Sequence, residues 1–298
     1  MELPKIINGK FIASEVLEKI KIQVHDVKKY NNFTPGLAVI LIGDDPASSV
    51  YVRNKEKTSL SAGMNSWVYK YPSEVKEKEI IDKINNLNKN DEVDGILVQL
   101  PFPKNSILSE RKIINFIDPL KDVDGLHTTN IGKLANGEDG LFPATPSGCM
   151  ILIKKFYDKL DGKKAVIVGR SNLVGKPIAA MLLRENCTVT ILHSKTKNIK
   201  NECKNADILI AAIGKPNFIK GDWIKEDSIV IDVGINRIIK ENKNALTGDV
   251  DFDAAKKYVK AITPVPGGVG PMTIACLLIN TFKAAHLRRN LTEPSINF

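Results

Sequence analysis

Short apolar runs alternate with helical patterns along the first part of the chain. The apolar runs cover residues 36–42, 67–71 and 95–100, and the helical patterns cover residues 14–30, 48–62, 76–87 and 110–116. Apolar runs of this length are typical of strands buried on both faces, and intervening helices join such strands in parallel. The pattern therefore predicts an α/β arrangement with a parallel sheet.

The same alternation starts again at Lys164. Predicted strands cover residues 165–168, 188–192, 208–213, 229–233 and 259–262, with a helix over residues 176–186. This rhythm is typical of a doubly wound nucleotide-binding domain. A last helix is predicted over residues 271–287, because Pro271 can open it and apolar residues recur at helical spacing, and we expect it to pack on the first domain.

A polar, glycine-rich stretch at residues 130–140 separates the two patterns and is interpreted as a linker. The predicted fold class is α/β, with two α/β domains flanking a cleft, the second a Rossmann-like doubly wound parallel sheet. The predicted first domain combines residues 1–139 with residues 271–298, and the second covers residues 140–270. Residues 291–298 are expected to form a frayed tail.

The composition is that of an ordinary globular protein. The 298 residues are 43% hydrophobic and 26% charged, which allows a sizeable core. No apolar stretch approaches the roughly 18 to 20 residues of a membrane span, and no signal-peptide pattern is visible, so we expect a cytoplasmic protein without a membrane partner. The four cysteines lack zinc-site spacing and are interpreted as structural thiols.

The net charge of +9 leaves two classes of partner to consider, nucleic acids and small anions. The lysines are mixed with acidic residues along helical patterns such as residues 75–90, and no aromatic residues interleave with them. A solvated surface is therefore favoured over a nucleic-acid groove, and no nucleic-acid partner is predicted. Polyanionic small ligands would also benefit from the positive charge.

Polar side chains follow the apolar runs of the first domain. Gln99 ends one run, and Tyr51 and Lys55 share one face of the helix that follows another. In open α/β sheets ligands bind beyond the carboxyl ends of the strands, so these residues and Asp124 are expected at one edge. The alternative for Tyr51 and Lys55 is a solvated helix. A desolvated lysine whose pKa falls by ~3 units would serve as a general base near pH 7.

Asp122 and Asp124 could bind a metal or cap a turn. Two carboxylates two residues apart, without a third acidic partner, make a poor magnesium site. We therefore predict no metal, one structural aspartate, and one aspartate that hydrogen-bonds a ligand.

The turn at residues 169–175 joins a predicted strand to a helix, so free amides at the helix start would suit a phosphate. It is neither a Walker A loop nor G-x-G-x-x-G, since Ser171 replaces the second glycine, and a merely structural turn is the alternative. The next strand ends in the sequence HSKT at residues 193–196, without an acid for a ribose hydroxyl. Because Arg170 and Lys195 would attract a 2′-phosphate, NADP is favoured over NAD.

The densest glycine and proline tract covers residues 264–273. Its glycines permit close approach of a ligand to the backbone, so a binding loop between the domains is favoured over a plain linker.

Taken together, these segments resemble the bifunctional methylenetetrahydrofolate dehydrogenase/methenyltetrahydrofolate cyclohydrolase family over nearly the whole chain. The matching motifs are YVRNKEK at 51–57, VQLP at 98–101, DVDG at 122–125, GRS at 169–171, VGKP at 174–177, DVG at 232–234 and PGGVGPMT at 266–273. One departure is Ala144, which stands where many members have cysteine. The reaction needs no cysteine.

The resemblance implies roles for individual residues. Lys55 is the catalytic lysine, Gln99 orients it and tunes it electrostatically, Tyr51 packs against the folate ring system, and Asp124 binds the pterin. The expected folate contacts also include Leu100, Pro264, Gly267, Gly268 and Pro271. The expected cofactor contacts are Gly169, Arg170, Ser171, Val174, His193, Ser194, Thr196, Gly214, Gly234, Ile235 and Thr273. For His193 we expect a structural or cofactor-lining role and no acid–base role.

The resemblance further implies two reactions in one shared cleft and a homodimer. The first is oxidation of 5,10-methylenetetrahydrofolate with NADP, and the second is hydrolysis of the methenyl product to 10-formyltetrahydrofolate. Two alternatives stay open, namely a dehydrogenase that has lost the hydrolytic step and a basic nucleic-acid-binding protein with an α/β fold.

Overall fold

The structure is a computed structural model that describes residues 5–240, 243–292 and 294. The strands are β1 (Lys5–Ile6), β2 (Gly36–Ile42), β3 (Asn65–Tyr71), β4 (Gly95–Val98), β5 (Lys164–Val168), β6 (Thr188–Leu192), β7 (Ile208–Ala211), β8 (Ile229–Asp232), β9 (Asn236–Lys240), β10 (Lys243–Thr247) and β11 (Ala261–Ile262). The helices are α1 (Gly9–Tyr30), α2 (Pro46–Ser61), α3 (Glu77–Lys89), α4 (Glu110–Ile114), α5 (Thr128–Asn136), α6 (Ala144–Lys154), α7 (Gly175–Arg184), α8 (Ile199–Cys203), α9 (Phe252–Ala255) and α10 (Val269–Leu287), with a 3₁₀ turn at Gly221–Trp223. Among the described helices, none is long and apolar enough to cross a bilayer.

The chain divides into two compact units. The three-stranded unit comprises Ser14–Ala144 and Ile274–Phe298, and the six-stranded unit comprises Met1–Ala13 and Thr145–Thr273. Residues 5–13 thus group with the six-stranded unit, where β1 pairs with β11. The sequence-based ranges placed them with the other unit.

In the three-stranded unit the parallel sheet has the order β3-β2-β4. All seven residues of β2 are buried, as expected for a central strand covered on both faces. β4 ends at Val98, two residues before the predicted end of that run. An isolated parallel bridge joins Ile96 to Asp122, which brings the segment after Asp122 alongside β4.

The last helix supports this unit, as expected from the sequence. Asn280 donates hydrogen bonds from Nδ2 to the carbonyls of Val123 and Phe142, at 2.8 and 2.7 Å. Arg288 and Arg289, just beyond the helix, both donate to Oδ1 of the fully buried Asp94, at 2.5 and 2.6 Å. Paired guanidinium groups compensate the buried carboxylate, so it is tolerated at the edge of the core.

In the six-stranded unit the sheet has the order β1-β11-β8-β7-β5-β6, and every pairing in it is parallel. After β5 the chain forms β6 on one side and then β7 on the other. The strand order therefore reverses between β5 and β7, and ligands bind at such a switch point, beyond the carboxyl ends of the strands. The predicted doubly wound sheet is confirmed.

Further details differ from the sequence-based expectation. Most of the predicted linker at residues 130–140 is helix α5, which His127 caps at its start and Gly137 ends with φ 79°. The antiparallel hairpin of β9 and β10 was not predicted, because its sequence is rich in Asn and Lys. Helix α10 begins at Val269, two residues before Pro271. Of the expected tail at residues 291–298, positions 293 and 295–298 lie outside the described residues.

Candidate functional site

A buried lysine and a glutamine meet in the three-stranded unit. Lys55 lies in the middle of α2, and its side chain is only 8% exposed although lysine is rarely buried. Its Nζ donates a hydrogen bond to Oε1 of Gln99 at 2.9 Å. The two residues are 44 positions apart, and the structure brings them together as predicted.

Local hydrogen bonds fix both partners of this contact. Helix α2 begins at Pro46, where Asp45 accepts from the backbone N–H of Ser48 at 2.8 Å, a favourable helix start. The backbone N–H of Gln99 donates to the carbonyl of Ile40 at 2.9 Å, which extends the pairing of β4 with β2. Its Nε2 donates to the carbonyl of Leu100 at 2.6 Å. The amide oxygen of Gln99 therefore stays turned toward Lys55.

The electrostatics of Lys55 and Asp124 are coupled. Burial lowers the pKa of the Lys55 ammonium from its usual value, and the nearby Asp124 carboxylate opposes that effect. Burial likewise raises the pKa of Asp124, and Lys55 opposes the rise. Each group thus favours the charged form of the other in surroundings that favour neutral forms. Titratable groups with perturbed pKa values of this kind are frequent at sites of acid–base catalysis.

Asp122 and Asp124 have different surroundings. Asp122 is buried, and its Oδ2 accepts from the N–H of His127 at 2.8 Å and from Nδ2 of Asn130 at 2.9 Å. Burial raises the pKa of Asp122 to about 6. Asp122 therefore holds the start of α5, which is a structural role, whereas Asp124 interacts with Lys55.

The remaining folate residues predicted for this unit lie close along the chain. Tyr51 is half-buried one helical turn before Lys55. Leu100 follows Gln99, is half-buried, and packs against the core cluster of this unit. Their roles toward a ligand stay predictions.

In the six-stranded unit, the turn after β5 requires two glycines. A Cβ on Gly169, which has φ +133°, would lie 2.2 Å from the carbonyl oxygen of Ala212. A Cβ on Gly175 would lie 2.4 Å from the carbonyl oxygen of Gly169. The first helical turn can lie directly against the end of β5 only because neither residue carries a side chain.

The amides of that turn are largely satisfied within it, contrary to the expectation of free donors. Ser171 Oγ accepts from the N–H groups of Val174 and Gly175 at 3.1 and 3.3 Å, and the Ser171 carbonyl accepts from Lys176 at 3.0 Å. Serine competes for helix-start amides in this way. The exposed guanidinium of Arg170 is then suited to bind an anion at this position.

The segment after β6 carries cations and hydroxyls and no carboxylate. His193 is half-buried, donates its N–H to Thr196 Oγ1 at 2.9 Å, and accepts on Nδ1 from the N–H of Lys195 at 3.1 Å. It shapes the loop, which agrees with the expected structural role. Ser194 and Lys195 are exposed.

Two buried carboxylates, Asp232 and Asp249, accept hydrogen bonds from the backbone of Gly234 and Gly214, respectively. The sequence analysis assigned neither of them to the site. Asp249 accepts from the N–H groups of Ile213, Gly214 and Lys215, at 2.7, 3.0 and 2.8 Å. The available signal was an aspartate within two positions of a glycine in each of the segments IDVG and TGDVD. Nearby, Ile235 is 46% exposed.

The glycine and proline tract is bound to residues from the start of the chain. The N–H of Lys10 donates to the carbonyl of Gly267 at 3.1 Å, and Gly267 has φ +104°. Gly268 has no room for a Cβ, which would lie 2.6 Å from the carbonyl oxygen of Pro264. Thr273 Oγ1 lies 3.0 Å from Thr145 Oγ1. Pro264 and Pro271 are half-buried and belong to this same unit.

The surroundings of the cysteines are those of structural groups, and the described residues offer no cluster of metal ligands. All four cysteines are buried, and burial raises the pKa of Cys149 and Cys203 to about 12 and that of Cys187 to about 11. Unionised thiols at neutral pH are poor nucleophiles. Within the described ranges, no three His, Cys, Asp or Glu side chains cluster as metal ligands would.

Two family models match the chain. The model described as the tetrahydrofolate dehydrogenase/cyclohydrolase catalytic domain matches residues 7–124, and the model of the NAD(P)-binding domain of the same family matches residues 143–289. Together they cover most of the sequence, and each unit contains most of one match.

Full-length relatives and solved structures agree with these matches. The chain is 53% identical to the bifunctional protein FolD of Pelagibacter ubique over 93% of this chain and 97% of that protein. It resembles the crystal structure of the bifunctional FolD dehydrogenase/cyclohydrolase from Campylobacter jejuni, with TM-score 0.90, 44% identity, and coverage of 95% and 99%. It also resembles the Trypanosoma brucei enzyme complexed with NADP and an inhibitor, with TM-score 0.91, 33% identity, and coverage of 97% and 99%.

Proposed function

Because this chain belongs to the tetrahydrofolate dehydrogenase/cyclohydrolase family, we propose that it catalyses two successive reactions on a folate. It oxidises 5,10-methylenetetrahydrofolate to the 5,10-methenyl form with NADP, and it hydrolyses that product to 10-formyltetrahydrofolate. The observation that carries the proposal is the buried amine of Lys55, held by the Gln99 amide oxygen at 2.9 Å.

The hydrolytic step requires proton transfer at a carbon that is already electrophilic. Water adds to the methenyl carbon and loses one proton. The carbon–nitrogen bond to N5 then breaks as N5 gains a proton and the new hydroxyl loses its proton to become the formyl carbonyl. A buried lysine with a lowered pKa is suited to accept the proton from water and to deliver one to N5. The product is the 10-formyl compound, and one proton is released overall.

Gln99 and Asp124 would act on this step in different ways. Gln99 fixes the position of Nζ, and its neutral amide accepts a hydrogen bond without adding a negative charge that would raise the pKa of Lys55. Asp124 moderates the pKa shift of Lys55 and, by the family resemblance, binds the pterin. Tyr51 would supply an apolar face one turn away on α2.

The six-stranded unit has the features that a dinucleotide needs at its switch point. Gly214 has φ +67° and no atom within 4 Å of the place where a Cβ would be, so a ligand can approach its backbone closely. NADP, when bound, supplies the acceptor for the hydride that leaves the methylene carbon. Arg170, Ser194 and Lys195 are exposed and would hold a 2′-phosphate, and no acid follows β6 to favour NAD.

Incubation with methylenetetrahydrofolate and NADP, following both the reduced cofactor and the formyl product, tests the proposal. We expect both to form, with NADP used more efficiently than NAD. Reduced cofactor without formyl product would favour the dehydrogenase-only alternative. A preference for NAD would contradict the assignment of Arg170, Ser194 and Lys195.

The homodimer, the cytoplasmic location and the lack of a nucleic-acid partner stay predictions. Sedimentation over a range of protein concentrations tests the dimer, which a monomer at all concentrations would contradict. Titration with oligonucleotides at physiological salt tests the last point, since tight binding with a steep salt dependence would favour the nucleic-acid alternative.

A further inference from the structure

Asp249 of the six-stranded unit binds a whole turn with one carboxylate. The residue is fully buried and follows β10 after Gly248. Its Oδ2 accepts from the N–H groups of Ile213 and Gly214, and its Oδ1 accepts from the N–H of Lys215 and, at 2.9 Å, from Nδ2 of Asn236. Four donors therefore converge on two oxygens, which fills the acceptor capacity of a carboxylate.

Three successive amides around one anion form the kind of backbone concavity that often binds phosphate. Here the anion is internal, since Asp249 fills the concavity after β7. The turn at residues 213–215 is thus held in position before any ligand arrives. It does not need a ligand phosphate to order it, so phosphate recognition falls to other groups, such as Arg170 after β5.

Asp249 also reaches the segment after β8. A Cβ on Gly234 would lie 2.3 Å from the carboxyl carbon of Asp249, so the Gly234 backbone packs directly on that group. The hydrogen bond from Asn236 holds the first residue of β9 to the same carboxylate. One side chain thereby connects the ends of β7 and β8.

Asp232 fixes the backbone of Asp249 by hydrogen bonds to its carboxylate. Oδ1 of Asp232 accepts from the N–H groups of Gly234 and Asp249, both at 3.0 Å, and its Oδ2 accepts from Val250 at 2.9 Å. The position of Asp249 is therefore determined from both its side chain and its main chain, which is the kind of support that a precise binding surface needs.

We infer that Asp249 is a positioning residue for the dehydrogenase reaction, because it sets the turn at 213–215 and the segment at 234–236 against the nicotinamide half of NADP. In a doubly wound sheet the adenosine lies over the strands on one side of the switch point, here β6, and the other nucleotide lies over the strands on the other side, here β7 and β8. The inference rests on the proposed function, since it names a residue that supports one of the two activities.

The test is Asp249→Asn, compared with Asp251→Asn as a matched control. In this variant an NH₂ group replaces one of the carboxylate oxygens that accept from the backbone N–H groups in the wild type. Two donors would then face each other, so the turn at 213–215 must shift. Asp251 only caps α9, where it accepts from Ala254 at 3.3 Å, and asparagine caps a helix start equally well. We expect Asp249→Asn to raise the Kd for NADP in calorimetry, and its KM, by about tenfold or more. Cyclohydrolase turnover of added methenyl substrate should stay within about twofold of wild type, and Asp251→Asn should leave both unchanged.

If Asp249 had only a structural role, Asp249→Asn would lower the melting temperature and the fraction of folded protein. Both activities would then fall together, and the Kd for NADP would be unchanged. That result would overturn the inference. If Asp249→Asn does not fold, Asn236→Ala replaces it, because this change removes one of the four donors and keeps the carboxylate. An NADP affinity of Asn236→Ala within about twofold of wild type would then overturn the inference. Failure of the wild-type enzyme to reduce NADP would instead contradict the proposed function.

Discussion

Two lysines of the three-stranded unit are buried, and they have different partners. Lys55 is 8% exposed and donates to the side-chain amide of Gln99, whereas Lys121 is 1% exposed and donates to the carbonyls of Leu87 and Asn90 at 2.9 and 2.8 Å. Burial lowers the pKa of both, to about 8 for Lys121.

The partners of each lysine distinguish the two roles. Leu87 lies in the last turn of α3 and Asn90 follows the helix, so Lys121 adds a second donor to each of two main-chain carbonyls at the end of that helix. Lys55 instead contacts the side chain of Gln99, whose Nε2 donates to the carbonyl of Leu100 and whose backbone N–H donates to Ile40 in β2. A lowered pKa alone therefore does not identify a catalytic lysine, and the nature of the acceptor must be considered with it.

Replacement of each lysine by methionine should separate the roles most clearly. Lys55→Met removes the proposed acid–base group, so cyclohydrolase turnover should fall by about a hundredfold or more. Lys121→Met should leave turnover within about twofold of wild type. Hydrolysis of the methenyl compound, measured on folded protein at equal concentration, checks both values. Wild-type turnover in Lys55→Met would remove the basis of the bifunctional assignment.

The loss of stability should be larger for Lys121→Met than for Lys55→Met, which is the reverse of the order expected for turnover. Lys121→Met removes the charged donor from the carbonyls of Leu87 and Asn90, each of which keeps one backbone N–H donor, and we expect the free energy of unfolding to fall by about 2 kcal/mol. Lys55→Met should lower the free energy of unfolding by less, because it removes a desolvated ammonium that donates to one side-chain acceptor. Urea denaturation of both variants near pH 7 measures the difference, and equal losses would contradict the assigned roles.

The deficit of Lys121→Met should also depend on pH. The pKa of Lys121 is about 8 in the folded protein and 10.5 without the fold, so the unfolded state binds more protons between these values. The stability of the wild type relative to the variant should therefore rise from pH 8 to pH 10.5, by at most about 3 kcal/mol. Denaturation of both proteins at several pH values checks this, and a constant difference would show that Lys121 is not desolvated.

The smallest effect is expected for a charge change beside Lys55. Gln99→Glu places a carboxylate within hydrogen-bonding distance of Nζ, which should raise the pKa of Lys55. The alkaline shift of the cyclohydrolase pH profile should be about one unit, with reduced turnover at pH 7. Gln99→Met, which adds no charge, serves as the control. An unshifted profile in Gln99→Glu would mean that another group determines the pH dependence.

The sequence was most informative where apolar runs are buried on both faces. The predicted bounds of β2 agree with the structure, because a parallel strand that is covered by helices is apolar along its whole length. The predicted bounds of β6 also agree, although only its last residue is buried and it lies at the sheet edge. Helix α5 was missed, since its Thr, Asn and Gly residues look like a loop until His127 and Gly137 are seen to cap it. Strand β1 has only two residues and exists only because β11 is beside it.

In the site, too, local sequence predicts some residues, whereas others depend on partners that are distant along the chain. Lys55, Gln99 and Asp124 could be predicted to interact because each follows a recognisable strand or segment, and their closeness follows from the strand order. Asp249 could not be predicted in this way. Its burial depends on donors from residues 213–215 and from Asn236, which local sequence does not reveal.

Strand β1 also has a consequence for biosynthesis. Lys5 pairs with Ala261, 256 positions later, and the other strands of that sheet begin at residue 164 or beyond. During translation this segment leaves the ribosome long before its partner strand exists, so β1 can join the sheet only after residue 262 has been made. Since the N–H of Lys10 also donates to the carbonyl of Gly267, docking of this early segment fixes that glycine late as well.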